Sequence, residues 1–413
     1  MSRSAQGRAR RTGLWLGLCL TLALASLLSG CAGLFGDQPT PTWTPIRAIG
    51  PGGLPTNTPP TGKASPLPTF TDWRLAYAGP DGRLHAVSLD GRTDSAGAAL
   101  AFAGFSGLGV WAAGSSSDGR SLAYLSGGRL SILDAATGAQ RSTLPHTGDS
   151  RLWWSPDQRY LALSGTAAVV RVAVADGASV SLPPGTAAPP RSGVGGPYGW
   201  IDATHVAVVS LSANTPTVTS LQSLDMTTGK LSLITGIRSD GGAAFAVEPG
   251  GASTLFWTSQ FRANPFNPRV AVINNANGDL IPLPHLTDAL SPYGYITLLW
   301  RPNSTQALVG ALYPQRAGMT YSLIDVAKDT ATPINPPGSP EAWTPDGAAL
   351  IVATTGQQPI TEASAGFNDI GAVGSGPYTL GAALVDAKGH VGAPVTLTTH
   401  AMTIPMLGFV HTA

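Results

Sequence analysis

The chain has 413 residues, with 24 basic and 23 acidic side chains, 51 Gly, 35 Pro and two Cys. Charged residues make up only 11 % of it, against about 25 % in average soluble domains, so binding of nucleic acid through a basic field is not expected. Glycine and proline are abundant enough for many turns, but they stay below the ~25–30 % that indicates disorder throughout. The 43 % of hydrophobic residues supplies ample material for a core.

The first 31 residues have the organisation of an export signal. Four arginines open it without any acidic residue, an uncharged segment of 18 residues runs from Gly13 to Gly30, and small residues precede Cys31. A basic region, an apolar region and small residues, in this order, are typical of a secretory signal peptide. An uncleaved membrane anchor is the alternative, because the apolar segment approaches the ~20 residues that span a bilayer.

The tetrad Leu28-Ser29-Gly30-Cys31 resembles the lipobox of bacterial lipoproteins. The resemblance implies cleavage before Cys31, with acyl chains (palmitate among them) on the sulfur and amino group of this residue. The mature protein would then be attached to a membrane on its extracytoplasmic side, at the cell surface or in the periplasm. Cleavage would remove Cys19 and four arginines, so that the net charge changes from +1 to −3.

Residues 32–71 are rich in proline and threonine and show no apolar periodicity. Such a segment buries too little surface to fold, so we predict a disordered tether. Proline density favours the extended polyproline II conformation at ~3.1 Å per residue, which gives a reach on the order of 100 Å.

A tryptophan followed by a turn recurs in the remaining 72–413 segment. The clear copies are Trp154-Ser155-Pro156-Asp157, Trp300-Arg301-Pro302-Asn303 and Trp343-Thr344-Pro345-Asp346-Gly347, and weaker copies lie near Trp111, Trp200 and Val247. These markers are spaced by 43 to 53 residues, and each is followed by short β-type runs separated by Asp-Gly or Asn-Gly turns. Four short strands in each ~40–50 residues indicate the blades of a β-propeller.

The two ends of this segment predict how the ring closes. Asp72-Trp73-Arg74-Leu75-Ala76-Tyr77 matches the second strand of a repeat, Asp118-Gly119-Arg120-Ser121-Leu122-Ala123-Tyr124, so the first repeat lacks its first strand. The missing strand is found at Ile404–Val410, with Phe409 at the tryptophan position. The fold class is therefore all-β, a seven-bladed β-propeller of four-stranded blades that is closed by the C-terminal strand.

The pattern Trp-Ser-Pro-Asp-Gly, then Leu-Ala-Tyr, then Leu-x-x-x-Asp resembles the TolB-like, WD40-like bacterial β-propellers. The resemblance covers about residues 72–410. It implies binding of a partner within an envelope assembly.

Loop lengths predict where a partner binds. The connections from first to second and from third to fourth strands are short, whereas the long insertions fall in the other two positions: Pro183–Gly199, Ser212–Thr217, Ser259–Pro268, His285–Gly294, Tyr313–Met319 and Gln357–Tyr378. Because binding residues concentrate on loops of rigid scaffolds, we predict one binding face. Its candidate contacts are Phe261, Arg262, Asn264, Phe266, Tyr313, Arg316, Phe367, Asn368 and Asp369. Tolerated surface insertions are the competing interpretation.

Two functions remain open from the sequence. The favoured one is a monomeric, lipid-anchored propeller that binds a protein, peptide or glycan without catalysis. The alternative is an extracytoplasmic hydrolase or lyase with its site in the central channel. The seven histidines, among them His85, His205 and His285, lack metal-ligand spacing, so the sequence assigns no metal, cofactor or catalytic residue.

Overall fold

A computed structural model describes fifteen stretches of the chain: 72–100, 110–126, 128–146, 152–164, 168–182, 194–195, 197–211, 218–239, 243–258, 269–290, 295–312, 319–355, 358–359, 377–401 and 407–411. The chain divides into two units, Met1–Thr56 and Asn57–Ala413, and every described residue belongs to the second. The predicted signal segment, Cys31 and the tether lie outside the described residues, so their assignments stay predictions.

The described residues form 29 short β-strands and one helix. The strands in the first half are β1 (Trp73–Ala78), β2 (Arg83–Ser88), β3 (Asp94–Ala99), β4 (Val110–Ser115), β5 (Ser121–Ser126), β6 (Arg129–Asp134), β7 (Gln140–Pro145), β8 (Leu152–Trp154), β9 (Tyr160–Ser164), β10 (Val169–Ala173), β11 (Ser179–Leu182), β12 (Val194–Gly195), β13 (His205–Leu211), β14 (Val218–Asp225) and β15 (Leu231–Ser239). The rest are β16 (Ala243–Val247), β17 (Ser253–Thr258), β18 (Val270–Asn274), β19 (Leu280–Pro282), helix α1 (Pro284–Leu290), β20 (Tyr295–Trp300), β21 (Gln306–Leu312), β22 (Met319–Asp325), β23 (Thr330–Ile334), β24 (Ser339–Trp343), β25 (Ala349–Thr355), β26 (Gln358–Pro359), β27 (Tyr378–Leu384), β28 (Val395–Ala401) and β29 (Gly408–His411).

These strands form seven antiparallel sheets, which we number as blades 1 to 7. Their orders are β29-β1-β2-β3, β4 to β7, β8 to β11, β12 to β15, β16 to β19, β20 to β23, and β24-β25-β27-β28, with β26 added beside β25. First strands of neighbouring blades contact each other, as β29 and β4, β4 and β8, and β16 and β20 do, so the first strands lie innermost. The fold is a seven-bladed β-propeller, which confirms the prediction.

The C-terminal strand closes the ring. Strand β29 pairs antiparallel with β1, with Phe409 opposite Leu75 and Val410 opposite Arg74. The backbone N–H of Leu407 also donates to Ala76 O at 2.9 Å. Phe409 is buried between blades 7 and 1, in the place that the tryptophans take elsewhere, as the sequence predicted.

An apolar cluster lies at each of the seven boundaries between neighbouring blades. Because successive residues of a strand point to opposite faces, each strand feeds two clusters. In β1, Leu75 and Tyr77 pack toward blade 7, whereas Ala76 and Ala78 pack toward blade 2. The inner part of each blade is therefore buried on both faces, and a second strand such as β5 is buried throughout, whereas the outer strand β7 is largely exposed.

The recurring tryptophans join adjacent blades by packing and by a hydrogen bond. The indole N–H of Trp200, Trp300 and Trp343 donates to a carbonyl oxygen on the first strand of the preceding blade, at 3.0 Å, 3.0 Å and 3.3 Å. This contact satisfies the polar atom of an otherwise buried ring. The tryptophan repeat therefore has a structural role.

The recurring Ser/Thr-x-Asp turn is held by its own side chains. The Ser155 hydroxyl donates to Asp157 Oδ1 at 2.7 Å, and Asp157 accepts the N–H of Arg159 while Ser155 Oγ accepts the N–H of Tyr160. The same bonds recur at Ser116 with Asp118 and at Thr344 with Asp346. The fourth turn residue has a positive φ, 62° at Gln158, where other copies carry glycine.

Two predicted insertions are partly regular structure. The Pro183–Gly199 insertion ends in β12, whose Val194 and Gly195 pair with Ser210 and Val209, so its glycine-rich end belongs to blade 4. The His285–Gly294 insertion begins inside α1, whose Leu286 and Leu290 are buried at the boundary of blades 5 and 6. Leu286 and Leu290 are spaced by about one helical turn. A helix of only seven residues is too short for this apolar spacing to predict it from the sequence.

Neighbouring blades approach each other so closely at Gly408 and Gly199 that only glycine fits at these two positions. A Cβ at Gly408 would lie 2.6 Å from the backbone nitrogen of Ser115 in blade 2, and φ there is +128°. A Cβ at Gly199 would lie 2.7 Å from Cβ of Val247 in blade 5. We expect Gly408→Ala to lower the free energy of unfolding in urea by about 1–3 kcal/mol, because it adds a clash and backbone strain.

Gly236→Ala is the matched control, because nothing lies within 4 Å of a Cβ at this exposed position of β15. Its urea midpoint should stay close to that of the wild type, within about 0.5 kcal/mol. Equal midpoints for the two variants would contradict the close spacing of β29 and β4.

Candidate functional site

The nine predicted contact residues all lie outside the described part of the chain. They are Phe261, Arg262, Asn264, Phe266, Tyr313, Arg316, Phe367, Asn368 and Asp369. Their assignment as a binding site therefore stays a prediction, and the structure bears only on the strands that flank them.

Those flanking strands all end on the same face of the propeller. Residues 259–268 connect β17 to β18, residues 313–318 connect β21 to β22, and residues 360–376 lie between β25 and β27. Each is a connection from a second to a third strand, and in an antiparallel blade such connections share one face with those that lead to the next blade. We call this the long-loop face and the opposite one the short-turn face.

Most connections of the short-turn face have the same length. Five residues join β4 to β5, β8 to β9, β16 to β17, β20 to β21 and β24 to β25, and five also join five of the seven third strands to fourth strands. The exceptions between described strands are β12 to β13 with nine residues, β22 to β23 with four and β27 to β28 with ten. Across the molecule, the connections of the long-loop face range from two residues, between β5 and β6, to 22, between β25 and β27. Variation in length is therefore concentrated on the long-loop face.

Glu341 is the one acidic residue within the seven first strands as bounded above. It lies at a β-bulge of β24, because Pro340 pairs with Val352 and Ala342 with Ile351, which leaves Glu341 without a register partner. Its Oε1 atom is buried and accepts no hydrogen bond from any described residue. β24 is the first strand of blade 7, and the Glu341 carboxyl group lies near Tyr321 of blade 6 and Tyr378 of blade 7.

The surroundings of Glu341 keep its carboxyl group protonated at neutral pH. Burial raises the pKa of Glu341 to about 8, against a weaker opposing hydrogen bond from Ser339. Burial also raises the pKa of Tyr321 to about 12, although this phenol is hydrogen-bonded to Ser339 as well. At Tyr378 burial and the nearby Glu341 charge both raise the pKa. A buried carboxyl group of this kind is a candidate functional residue that the sequence did not single out.

The histidines for which the structure gives acidic partners pair with aspartates of turns. His205 Nδ1 lies 2.9 Å from Asp202 Oδ2, His285 Nδ1 lies 2.8 Å from Asp329 Oδ2, and His390 and His85 make similar pairs. The Asp329 carboxylate also accepts the first N–H groups of α1, from His285 and Leu286. Among the residues of the described stretches, no group of three or more His, Cys, Asp or Glu side chains could hold a metal ion.

A cleft of about 530 Å³ opens on the short-turn face between blades 4 and 5. Blade 4 contributes Ile201, Asp202, His205 and Ser223; blade 5 contributes the backbone of Gly250, Gly251 and Ala252 and the turn residues Asn274, Asn275 and Ala276. Where other blades carry the aspartate of the Ser/Thr-x-Asp turn, blade 5 has Gly250, so no side chain fills this space. The volume is in the ~300–1,000 Å³ range of small-molecule pockets.

Asp202 carries the negative charge of this cleft. Burial opposes its ionisation, but hydrogen bonds from the N–H of Thr204 and from His205 outweigh this and hold the pKa of Asp202 below its ordinary value. Asp202 Oδ1 accepts the Thr204 N–H at 2.7 Å and the His205 N–H at 2.8 Å. The carboxylate is thus ionised at neutral pH and held in a fixed position.

Described helices include none long and apolar enough to cross a membrane. With its ring of seven antiparallel sheets, the described unit is a seven-bladed β-propeller.

Comparison with solved structures finds similarities at low sequence identity. The chain is similar to oligogalacturonate lyase from Vibrio parahaemolyticus, with 12 % identity, a TM-score of 0.48 and coverage of 83 % of this chain and 88 % of that one. It is also similar to TolB from Acinetobacter baumannii (12 %, 0.40, 63 % and 62 %) and to the TolB candidate from Agrobacterium tumefaciens (13 %, 0.41, 63 % and 88 %). No family model and no curated protein matches the chain.

The raised pKa of Glu341 predicts a pH dependence of stability. Between pH 4.5 and about 8 the folded protein keeps a proton that the unfolded chain has released, so stability falls as pH rises through this range. In urea unfolding, we expect the stability of the wild type relative to Glu341→Gln to fall by up to about 1.4 kcal/mol per pH unit. Above about pH 9 the difference should be constant.

The matched control is Glu248→Gln, at a short turn between β16 and β17. Its stability should follow that of the wild type across the same pH range. The free energy of unfolding of Glu341→Gln could instead change with pH in parallel with that of the wild type from pH 5 to pH 8. This result would show that the fold does not hold Glu341 protonated.

Proposed function

We propose that this protein is a lipid-anchored, extracytoplasmic β-propeller that binds a protein, peptide or glycan through its long-loop face, without catalysis. The observation that carries the proposal is the difference between the two faces: most connections on the short-turn face have five residues, whereas those on the long-loop face have up to 22. A rigid ring with variable loops on one face is a common arrangement for recognition. The nine candidate residues add aromatic and arginine side chains, which are enriched at binding hot spots.

A second candidate is an extracytoplasmic hydrolase or lyase with its site in the central channel. The observation that favours it is Glu341, on the first strand of blade 7, whose carboxyl group has a pKa raised by burial. General acids in enzymes have such shifted pKa values. Under this alternative, Glu341 would donate a proton to a leaving group that enters from the long-loop face.

Substitution of Cys31 tests whether the protein carries a lipid anchor at this residue. In a bacterial host grown with labelled palmitate, the wild type should carry the label and sediment with membranes, whereas Cys31→Ser should lose both properties. Cys19→Ser is the matched control and should keep them, because this cysteine precedes the cleavage point. A labelled Cys31→Ser protein, or an unlabelled wild type, would contradict the lipoprotein assignment.

The triple variant Phe261→Ala/Arg262→Ala/Phe266→Ala tests the long-loop face. We expect it to lose at least about tenfold in capture of the molecule that the wild type retains from membrane and cell-wall extracts, since hot-spot side chains contribute 2 kcal/mol or more. The matched control, Arg92→Ala/Val180→Ala/Leu233→Ala, removes similar side chains that are exposed elsewhere. Both variants are checked for an unchanged thermal unfolding midpoint.

Equal capture by the two triple variants would reject the long-loop face as the binding surface. The mass of the captured molecule separates the two candidate functions. An unchanged mass supports binding alone, whereas cleavage that is lost in Glu341→Gln supports the enzyme.

A further inference from the structure

The cleft between blades 4 and 5 has a counterpart between blades 6 and 7. Ile201 follows Trp200 as Arg301 follows Trp300, and the N–H of each donates to the first residue of the next strand, at 2.8 Å for Ile201 and 2.9 Å for Arg301. A Cβ at Gly251 would meet Ile201, and one at Gly347 would meet Arg301. The two boundaries are therefore built alike around residues 201 and 301.

At the boundary of blades 6 and 7 a guanidinium group fills this space. Arg301 Nε donates to Gly347 O and Nη2 donates to Val385 O, both at 2.7 Å. Nη1 donates to Gln306 Oε1 at 2.8 Å and to Asp386 O at 3.3 Å. The arginine joins the first-to-second turn of blade 7 to the end of its third strand.

A second arginine reaches the same kind of carbonyl group between blades 3 and 4. Arg171 Nη1 donates to Met226 O. Met226 and Val385 are equivalent, because the N–H of each donates to the residue before the second strand of its blade, Thr204 and Ala348. In blade 5 the equivalent residue is Asn275, whose N–H donates to Ala252 O at 3.0 Å.

Between blades 4 and 5 the arginine is replaced by Ile201, and Gly251 O, the equivalent of Gly347 O, accepts a hydrogen bond from Asn275 Nδ2 at 2.8 Å. Asn275 and Ala276, the equivalents of Val385 and Asp386, line the cleft. Within the part of the chain that the structure describes, their carbonyl oxygens accept no backbone hydrogen bond. Asp202 adds a fixed carboxylate, and Ser223 adds a hydroxyl group. Arg301 stacks on Trp343, with its Cζ atom 5.0 Å from the centroid of the indole ring. The equivalent residue in blade 5 is Val247, so binding of a guanidinium group here would depend on hydrogen-bond acceptors and charge.

We propose that this cleft is a guanidinium-binding pocket that receives an arginine side chain of a partner polypeptide. The chain itself places a guanidinium at the equivalent carbonyl oxygens of blades 4 and 7, and planar N–H donors match several acceptors at once. The Asp202 carboxylate supplies the charge. The pocket lies on the short-turn face and is independent of the function proposed for the long-loop face.

To test the proposal, the affinity of the full-length protein in detergent is measured by titration calorimetry. The two ligands are Nα-acetyl-L-arginine amide and Nα-acetyl-L-citrulline amide. Citrulline has nearly the same shape but no charge and one donor fewer. We expect the wild type to bind the arginine derivative at least about tenfold more tightly, as charge-assisted hydrogen bonds are about twice as strong as neutral ones. Equal affinities, or no saturable binding of the arginine derivative, would overturn the proposal.

Ile201→Arg tests the location, because it supplies the chain's own guanidinium as Arg301 does. It should lose at least about tenfold in affinity, while Ile201→Leu keeps the wild-type affinity within about threefold. Asp202→Asn preserves the turn and should weaken binding at least about fivefold, which keeps the proposal testable if Ile201→Arg does not fold. Undiminished binding in Ile201→Arg or in Asp202→Asn would place the arginine elsewhere and reject this pocket.

Discussion

The pairing of β29 with β1 is the interaction on which the rest of the structure depends. A four-stranded blade has two apolar faces and buries them only against its two neighbours, so an open row of blades would leave two faces exposed. By pairing with Leu75 and Arg74, the C-terminal strand completes blade 1. Phe409 then joins the cluster toward blade 7, and Val410 joins the one toward blade 2. Closure removes the two free faces and pairs the inner edge of β1.

The two faces of the closed ring also differ in how much the lengths of their connections vary. On the short-turn face, aspartates such as Asp118, Asp157 and Asp346 are occupied by the N–H and hydroxyl groups of their own turns. Turns of this kind have the same five-residue length in blades 2, 3 and 7. Connections on the long-loop face differ in length while the strands that they join keep their antiparallel pairing.

The candidate sites occur where a blade departs from the repeat. At β24 a bulge replaces regular pairing and leaves Glu341 buried with an unpaired oxygen. Between blades 4 and 5, Ile201 and Gly250 replace the side chains that fill the equivalent space elsewhere, and a cleft opens. A repeat protein offers an internal reference for such departures, because its other blades show what each position does when it serves packing alone.

The sequence by itself determined the class of fold, the number of blades and the closing strand, because turn residues and apolar runs act locally and recur at a regular spacing. It also identified Phe409 as the counterpart of the tryptophans, which the structure confirms. Only the tertiary structure decided that Glu341 is buried at a bulge, that Gly193–Gly199 contains strand β12, and that Ile201 lies beside Asn275. Those features depend on how one blade meets the next, and such contacts join residues distant along the chain.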